Sequence, residues 1–141
     1  MFRKILVPTD ASEAAQRALI MALELAKKYD SQILLLHVVY TPEALGYTLS
    51  GGISVPQEEI SIYGRDVLEA TLEGIDTGTV NLEKKQKPGH PAVAILEEVK
   101  SGQFDLVVMG NRGYGPIIGS MLGSVSQRIL SKAECPVMIV K

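Results

Sequence analysis

Ile5-Leu6-Val7-Pro8-Thr9-Asp10-Ala11-Ser12-Glu13 passes from an apolar run into a helix start. Ile5-Leu6-Val7 is continuous and apolar and stops at Pro8, the pattern of a short buried strand. Asp10 and Glu13 stand at capping-box spacing. Ala15, Ala18, Leu19, Ala22, Ala26 and Tyr29 then recur at helical spacing, which predicts an amphipathic helix of about five turns. Ile33-Leu34-Leu35-Leu36-His37-Val38-Val39 is a second apolar run, broken only by His37. Two strands of this kind around one amphipathic helix make a βαβ unit, and with it a parallel sheet.

The same alternation continues outward. Residues 41–55 carry Pro42, Gly46, Gly51 and Gly52 without periodicity. A loop of that length in a compact domain predicts a functional flap or a disordered segment. Ser54-Val55-Pro56-Gln57 opens a second helix, with Pro at its first position and an apolar face of Ile60, Tyr63, Val67 and Thr71, weakened at Gly64. Val80 to Lys87 alternates and is rich in charge, which suits an edge strand. Pro91 starts a third helix through Val93, Ile95, Leu96 and Val99, closed by Gly102. Leu106-Val107-Val108-Met109 is a strand, a glycine-rich loop follows, and a helix from about Ser124 to Lys132 precedes a last strand from Pro136 to Val140. Five strands alternating with four helices, joined by right-handed crossovers, predict an α/β fold: an open, doubly wound parallel sheet with helices on both faces. No linker, repeat or low-complexity tract divides residues 1–141, so one domain is expected.

Composition narrows the function. The 141 residues are 46% hydrophobic and 21% charged, which is ordinary for a globular chain and far from disorder. Aromatics are only 5% and Trp is absent, so Ile, Leu, Val, Ala and Met must build the core. A net charge of −2 offers no broad basic field for a nucleic-acid backbone, so nucleic acid is not expected as a partner. Cys135 is the only cysteine, which excludes an intramolecular disulfide and a zinc quartet. The apolar run after Arg3-Lys4 is too short for a signal-peptide core, and no stretch reaches the roughly 18 apolar residues of a membrane span. A cytoplasmic protein without a membrane partner is expected.

Chemistry concentrates in the loop after the fourth strand. Five of the 13 glycines lie in the 14 residues from Gly110 to Gly123, between a buried strand and a helix. Glycine lets backbone approach a ligand closely. A helix start presents unpaired N–H groups and partial positive charge, a natural phosphate site. Ser124 and Ser126 add hydroxyls beside those amides. The loop is not a P-loop, since no lysine follows any of these glycines, and Gly113, Gly115 and Gly119 miss the dinucleotide spacing by one residue.

The spacing that is met is G-x2-G-x9-G-S, from Gly110, Gly113, Gly123 and Ser124. In this the chain resembles the universal stress proteins, in their ATP-binding branch. The resemblance runs through Ile5 to Ser12, Leu34 to Val39, Gly89-His90-Pro91, Asp105 to Gly110 and Cys135 to Val140. It implies a five-stranded sheet of order 3-2-1-4-5 with ATP at the carboxyl ends of strands 1 and 4, where the order reverses. Carried over by position, it places Pro8, Thr9 and Asp10 at the nucleotide, with Asp10 on the ribose or adenine edge. Backbone at Val38 would meet the adenine. Met109, Gly110, Arg112 and Gly113 would wrap the ribose and first phosphates, and Gly123, Ser124, Val125 and Ser126 would hold the outer phosphates. It also implies Mg²⁺ or Mn²⁺ held through the phosphates, and a homodimer paired through strand 136–140.

Plainer readings stand beside these. Asp10 is a favoured helix cap, and capping is compatible with a ligand role. His37 reads as a core histidine, His90 as a solvated turn residue, and Cys135 as a packed, inert thiol. No Ser-His-Asp arrangement and no carboxylate pair beside the glycine loop supports catalysis. The expected function is an ATP-binding, stress-response switch read out by dimerisation or by a protein partner. The alternative is a slow ATPase or a phosphoryl or nucleotidyl transfer enzyme using the same pocket.

Overall fold

The computed structural model of the chain describes residues 1–40, 57–112 and 122–141. Its elements are β1 (Lys4–Pro8), α1 (Glu13–Tyr29), β2 (Gln32–Val39), α2 (Gln57–Leu72), β3 (Asn81–Pro88), α3 (Pro91–Gly102), β4 (Leu106–Gly110), α4 (Ser124–Lys132) and β5 (Val137–Val140). The strands form one sheet of order β3-β2-β1-β4-β5, and every pairing is parallel. The expected doubly wound sheet of order 3-2-1-4-5 is thus the observed one. The expected flap at 41–55, the Ser54-Val55-Pro56 helix start and Gly113 lie outside the described residues.

Pleating sorts the strand residues onto two faces. Ile5, Val7, Ile33, Leu35, Leu106 and Val108 pack under α1, with Leu68 of α2. Leu6, Leu34, Leu36, Val107 and Met109 pack against α3 and α4 through Ala92, Ile95, Val99, Val125 and Ile129. Strands buried on both faces explain the apolar runs of β1, β2 and β4, interrupted only by His37. β3 closes one edge, and most of its residues face solvent. Its charged side chains are tied down locally: Lys85 and Lys87 converge on Glu98 of α3, at 3.0 and 3.5 Å.

Four local expectations are corrected. Ser12, not Asp10, caps α1: its side chain accepts the Ala15 amide. Helix α2 buries Gly64, Val67, Leu68 and Thr71, whereas Tyr63 is 59% exposed. Gly64 lies on this buried face against the Gln86 side chain of β3, whose amide oxygen would be 1.8 Å from a Cβ there and would have to turn aside. Val93 of α3 is exposed, and the helix runs through Gly102 to a C-cap at Gln103 in the left-handed region (φ 54°). His90 is half-buried rather than solvated, with Nδ1 enclosed and without a hydrogen-bond partner.

Candidate functional site

The sheet order reverses between β1 and β4, so their carboxyl ends leave a cleft between diverging connections. Strand β1 is paired with β2 up to Pro8 opposite Leu36, whereas β2 runs on to Val39. The end of β2 therefore overhangs β1 and forms one wall. Val38 lies on that overhang with its side chain in the core.

The turn after β1 is the second wall. Thr9 is buried; its N–H donates to Leu36 O at 2.8 Å and its hydroxyl accepts the Ala11 amide at 3.0 Å. Ala11 takes a left-handed conformation, φ 66°, unusual for a residue with a Cβ. Asp10 Oδ1 accepts the Ser12 amide at 2.9 Å, so one carboxylate oxygen shapes the turn. Asp10 is half-buried at the mouth of the cleft.

Beneath this turn lies His37. Its Nδ1 is 2.7 Å from Thr9 O. A carbonyl only accepts, so Nδ1 carries the proton. Burial pushes the imidazole below its ordinary pKa, against the opposing pull of the Thr9 carbonyl and the Asp10 charge. His37 is thus the core histidine its apolar setting suggests. Cys135 likewise packs beside the core, and burial pushes its thiol up.

The third wall is built by β4 and α4. Gly110, the last residue of β4, lies against the first turn of α1: a Cβ there would come within 2.8 Å of Ala14 Cβ and backbone. This close fit fixes the α1 start beside the β4 end. Asn111 donates its amide to Val140 O and accepts from the Gly123 amide at 3.2 Å, so the two ends of the glycine loop meet. Ser126 is buried and its hydroxyl donates to Gly110 O at 3.1 Å. Helix α4 consequently begins directly above the end of β4.

That helix start has no side-chain cap. The first intrahelical bond runs from the Gln127 amide to Gly123 O, which leaves the Ser124, Val125 and Ser126 amides ahead of the ladder. Gly123 has φ −60° and ψ 155°, a conformation open to any residue, so the backbone there does not itself demand glycine. Ser124 is exposed, while Val125 points into the core. Met109 is also a core side chain, which leaves only its backbone for a ligand. Arg112 is exposed at the loop start.

Pro8, Thr9, Asp10, Val38, Met109, Gly110, Arg112, Gly123, Ser124, Val125 and Ser126 therefore gather at the carboxyl end of the sheet, though Thr9 and Ser126 spend their hydroxyls on the protein. One polar group escaped the sequence reading. Asn111 Oδ1 is enclosed and has no hydrogen-bond partner, at the junction of β4 and the loop. A buried acceptor without a donor is costly, and one beside a cleft marks where a ligand or water belongs. Its signal in the sequence is position alone: it is one of the two unspecified residues between Gly110 and Gly113 in the glycine spacing.

Known proteins share this fold. The chain is 33% identical over 148 residues to universal stress protein YxiE of Bacillus subtilis, with both chains fully covered. It is 29% identical over 141 residues to universal stress protein MJ0531 of Methanocaldococcus jannaschii, covering all of this chain and 83% of the other. Among solved structures, MJ0577 superposes with a TM-score of 0.81 at 24% identity, covering 100% and 96% of the two chains. A universal stress protein family protein from Arabidopsis thaliana, solved with AMP bound, superposes at 0.67 with 30% identity, covering 99% and 91%. One from Archaeoglobus fulgidus, in complex with dAMP, gives 0.73 at 23%, covering 99% and 98%. The family model of the universal stress proteins matches residues 1–141, and with whole-length relatives above 30% identity this chain belongs to the universal stress protein family.

Proposed function

We propose that the chain binds ATP in the switch-point cleft and acts as a nucleotide-dependent regulatory protein of stress responses, working as one domain in the cytoplasm. The observation that carries this reading is the uncapped start of α4 above the end of β4, with Ser124 exposed beside it and the Asn111 acceptor enclosed below. Unpaired amides at a helix start suit phosphate oxygens. The amides of Ser124, Val125 and Ser126 and the Ser124 hydroxyl take the outer phosphates, and Gly123 lets them approach. Backbone of Met109 and Gly110, with Arg112 and Gly113, wraps the ribose and first phosphates. Pro8 and Thr9 carry Asp10 to the ribose or adenine edge, and Val38 backbone meets the adenine. The AMP and dAMP complexes of relatives support an adenine ligand.

No group of three His, Cys, Asp or Glu among the described residues can cage a metal ion. Mg²⁺ or Mn²⁺ would be held by the phosphate oxygens and water. No helix among the described residues is long and apolar enough to cross a membrane.

The half-buried apolar edge strand β5 pairs with its copy in a homodimer. Pro136 O accepts from Val107 of β4 and Val140 O from Asn111 just past it, so the alternate residues Val137 and Ile139 turn their backbone groups to the open edge. Ile139→Pro removes an outward amide and leaves the β4 ladder intact; sedimentation should show monomers. A dimer retained in that variant rejects the edge pairing.

Calorimetric titration with ATP and Mg²⁺ tests the nucleotide reading. Asp10→Ala should weaken binding by about 1.5–3 kcal/mol, the scale of a charged hydrogen bond. Unchanged affinity leaves Asp10 as a turn former only. Steady turnover of pure protein, abolished by Ser124→Ala or Asp10→Ala, would instead favour the slow-ATPase or transferase reading.

A further inference from the structure

Helix α2 is wired to the turn that presents Asp10. The Thr71 hydroxyl donates to Val67 O at 2.8 Å. It also lies 2.7 Å from the Thr9 hydroxyl. A hydroxyl has one proton, and that of Thr71 is on Val67, so Thr9 donates to Thr71. The Thr9 oxygen in turn accepts the Ala11 amide at 3.0 Å. One directed chain therefore runs from Ala11 N–H through Thr9 and Thr71 to a carbonyl of α2. Both threonines are enclosed, at 1% and 0% exposure, so water does not compete for these bonds.

The chain ends where the backbone needs holding. Ala11 sits at φ 66°, a conformation that persists only when its surroundings hold it. Asp10 immediately precedes it, and its carboxylate bends back onto the Ser12 amide. Gln16 of α1 adds a second tie, reaching Ala70 O and Thr71 O at 3.3 and 3.4 Å. A threonine hydroxyl bonded to the carbonyl four residues back is common within helices. The second bond, across 62 residues to Thr9, is what that habit does not explain.

We propose that Thr71 is a positioning residue for nucleotide binding: its hydroxyl holds Thr9 and thereby the Asp10–Ala11 turn, so the seating of α2 sets the affinity of the cleft. The proposal rests on the nucleotide reading of that cleft and adds a residue that touches no ligand. A shift of α2 at Thr71 would reach the Asp10–Ala11 turn through this pair of hydroxyls.

Three substitutions separate positioning from general stability. Thr71→Val deletes the hydroxyl and keeps the shape, Thr71→Ser keeps the hydroxyl, and Asp10→Ala removes the group being positioned. Titration with ATP and Mg²⁺ should show Thr71→Val about five- to tenfold weaker and Thr71→Ser within about twofold of wild type. Thr71→Val added to Asp10→Ala should weaken binding no further. Equal losses in the Val and Ser variants, an unchanged Thr71→Val, or an additive double variant each overturn the proposal. Thr71→Ala gives the same reading if Val is not accommodated.

Hydrogen exchange of the Ala11 amide supplies an arm that needs no nucleotide. Exchange should quicken several-fold in Thr71→Val and stay slow in Thr71→Ser. If wild type binds no ATP, the functional reading falls, and this exchange still decides whether Thr71 holds the turn.

Discussion

The Ser126 hydroxyl donates to the Gly110 carbonyl across 3.1 Å, joining the first turn of α4 to the last residue of β4. Sixteen positions separate the two residues, and the whole glycine loop lies between them. The bond explains why a helix start stands at the switch point of the sheet. It also separates two serines with similar expectations, since Ser126 is enclosed and Ser124 is exposed.

Ser126→Ala should therefore act on stability and Ser124→Ala on binding. The first leaves the Gly110 carbonyl without this donor, a loss of about 1 kcal/mol in urea unfolding. The second should leave the unfolding midpoint within about 0.5 kcal/mol of wild type and weaken ATP binding. The opposite pattern would exchange their roles.

The two motif glycines at the ends of the loop should fail differently. Gly110→Ala forces a Cβ within 2.8 Å of Ala14, so about 1–3 kcal/mol of stability should be lost as α1 is pushed away. Gly123→Ala meets no conformational barrier at φ −60°, and its cost should stay below about 1 kcal/mol. Urea melts of the two variants make the comparison.

Stability should fall with acid through His37. Burial lowers its pKa in the folded chain, whereas the unfolded chain keeps the ordinary value near 6.5. Above that value both states are neutral and His37 contributes no pH dependence. Below it the unfolded state takes up the proton first, so stability drops as pH falls from 6.5 toward the lower folded value. Unfolding midpoints at pH 7.5 and 5.5 should differ less in His37→Gln than in wild type. An equal difference would assign the acid sensitivity elsewhere.

Glu98 is buried beneath two lysines on the β3 edge. Replacing both Lys85 and Lys87 with Met leaves its carboxylate enclosed without a cation, at a cost of about 2–3 kcal/mol. Replacing Glu98 with Met should cost under about 1 kcal/mol, because the partly exposed lysines can turn to water. Denaturant midpoints of the two variants test the asymmetry.

The alternation of strands and helices is legible in the apolar runs, because strands buried on both faces leave no polar break. Position is legible too: the glycine spacing marks the loop whose ends meet at Asn111 and Gly123. What escapes a linear reading depends on contact between distant residues. Hydrophobicity points α2 through Tyr63, but a glycine contributes nothing to such a pattern, and Gly64 lies on the buried face beside the Gln86 side chain. Capping-box spacing points to Asp10, while the left-handed turn at Ala11 hands the cap to Ser12. Thr71 looks like one more helix-face residue until the fold sets it against Thr9.

The most direct test is the affinity of nucleotide-stripped wild type for ATP with Mg²⁺, measured beside Gly123→Val. One ATP per chain in wild type is expected, with at least about tenfold weaker binding in a variant that remains folded, because a valine side chain at 123 would crowd the proposed approach of phosphate to the α4 amides. No binding by wild type, or equal affinity in the two proteins, would contradict the assignment of the cleft.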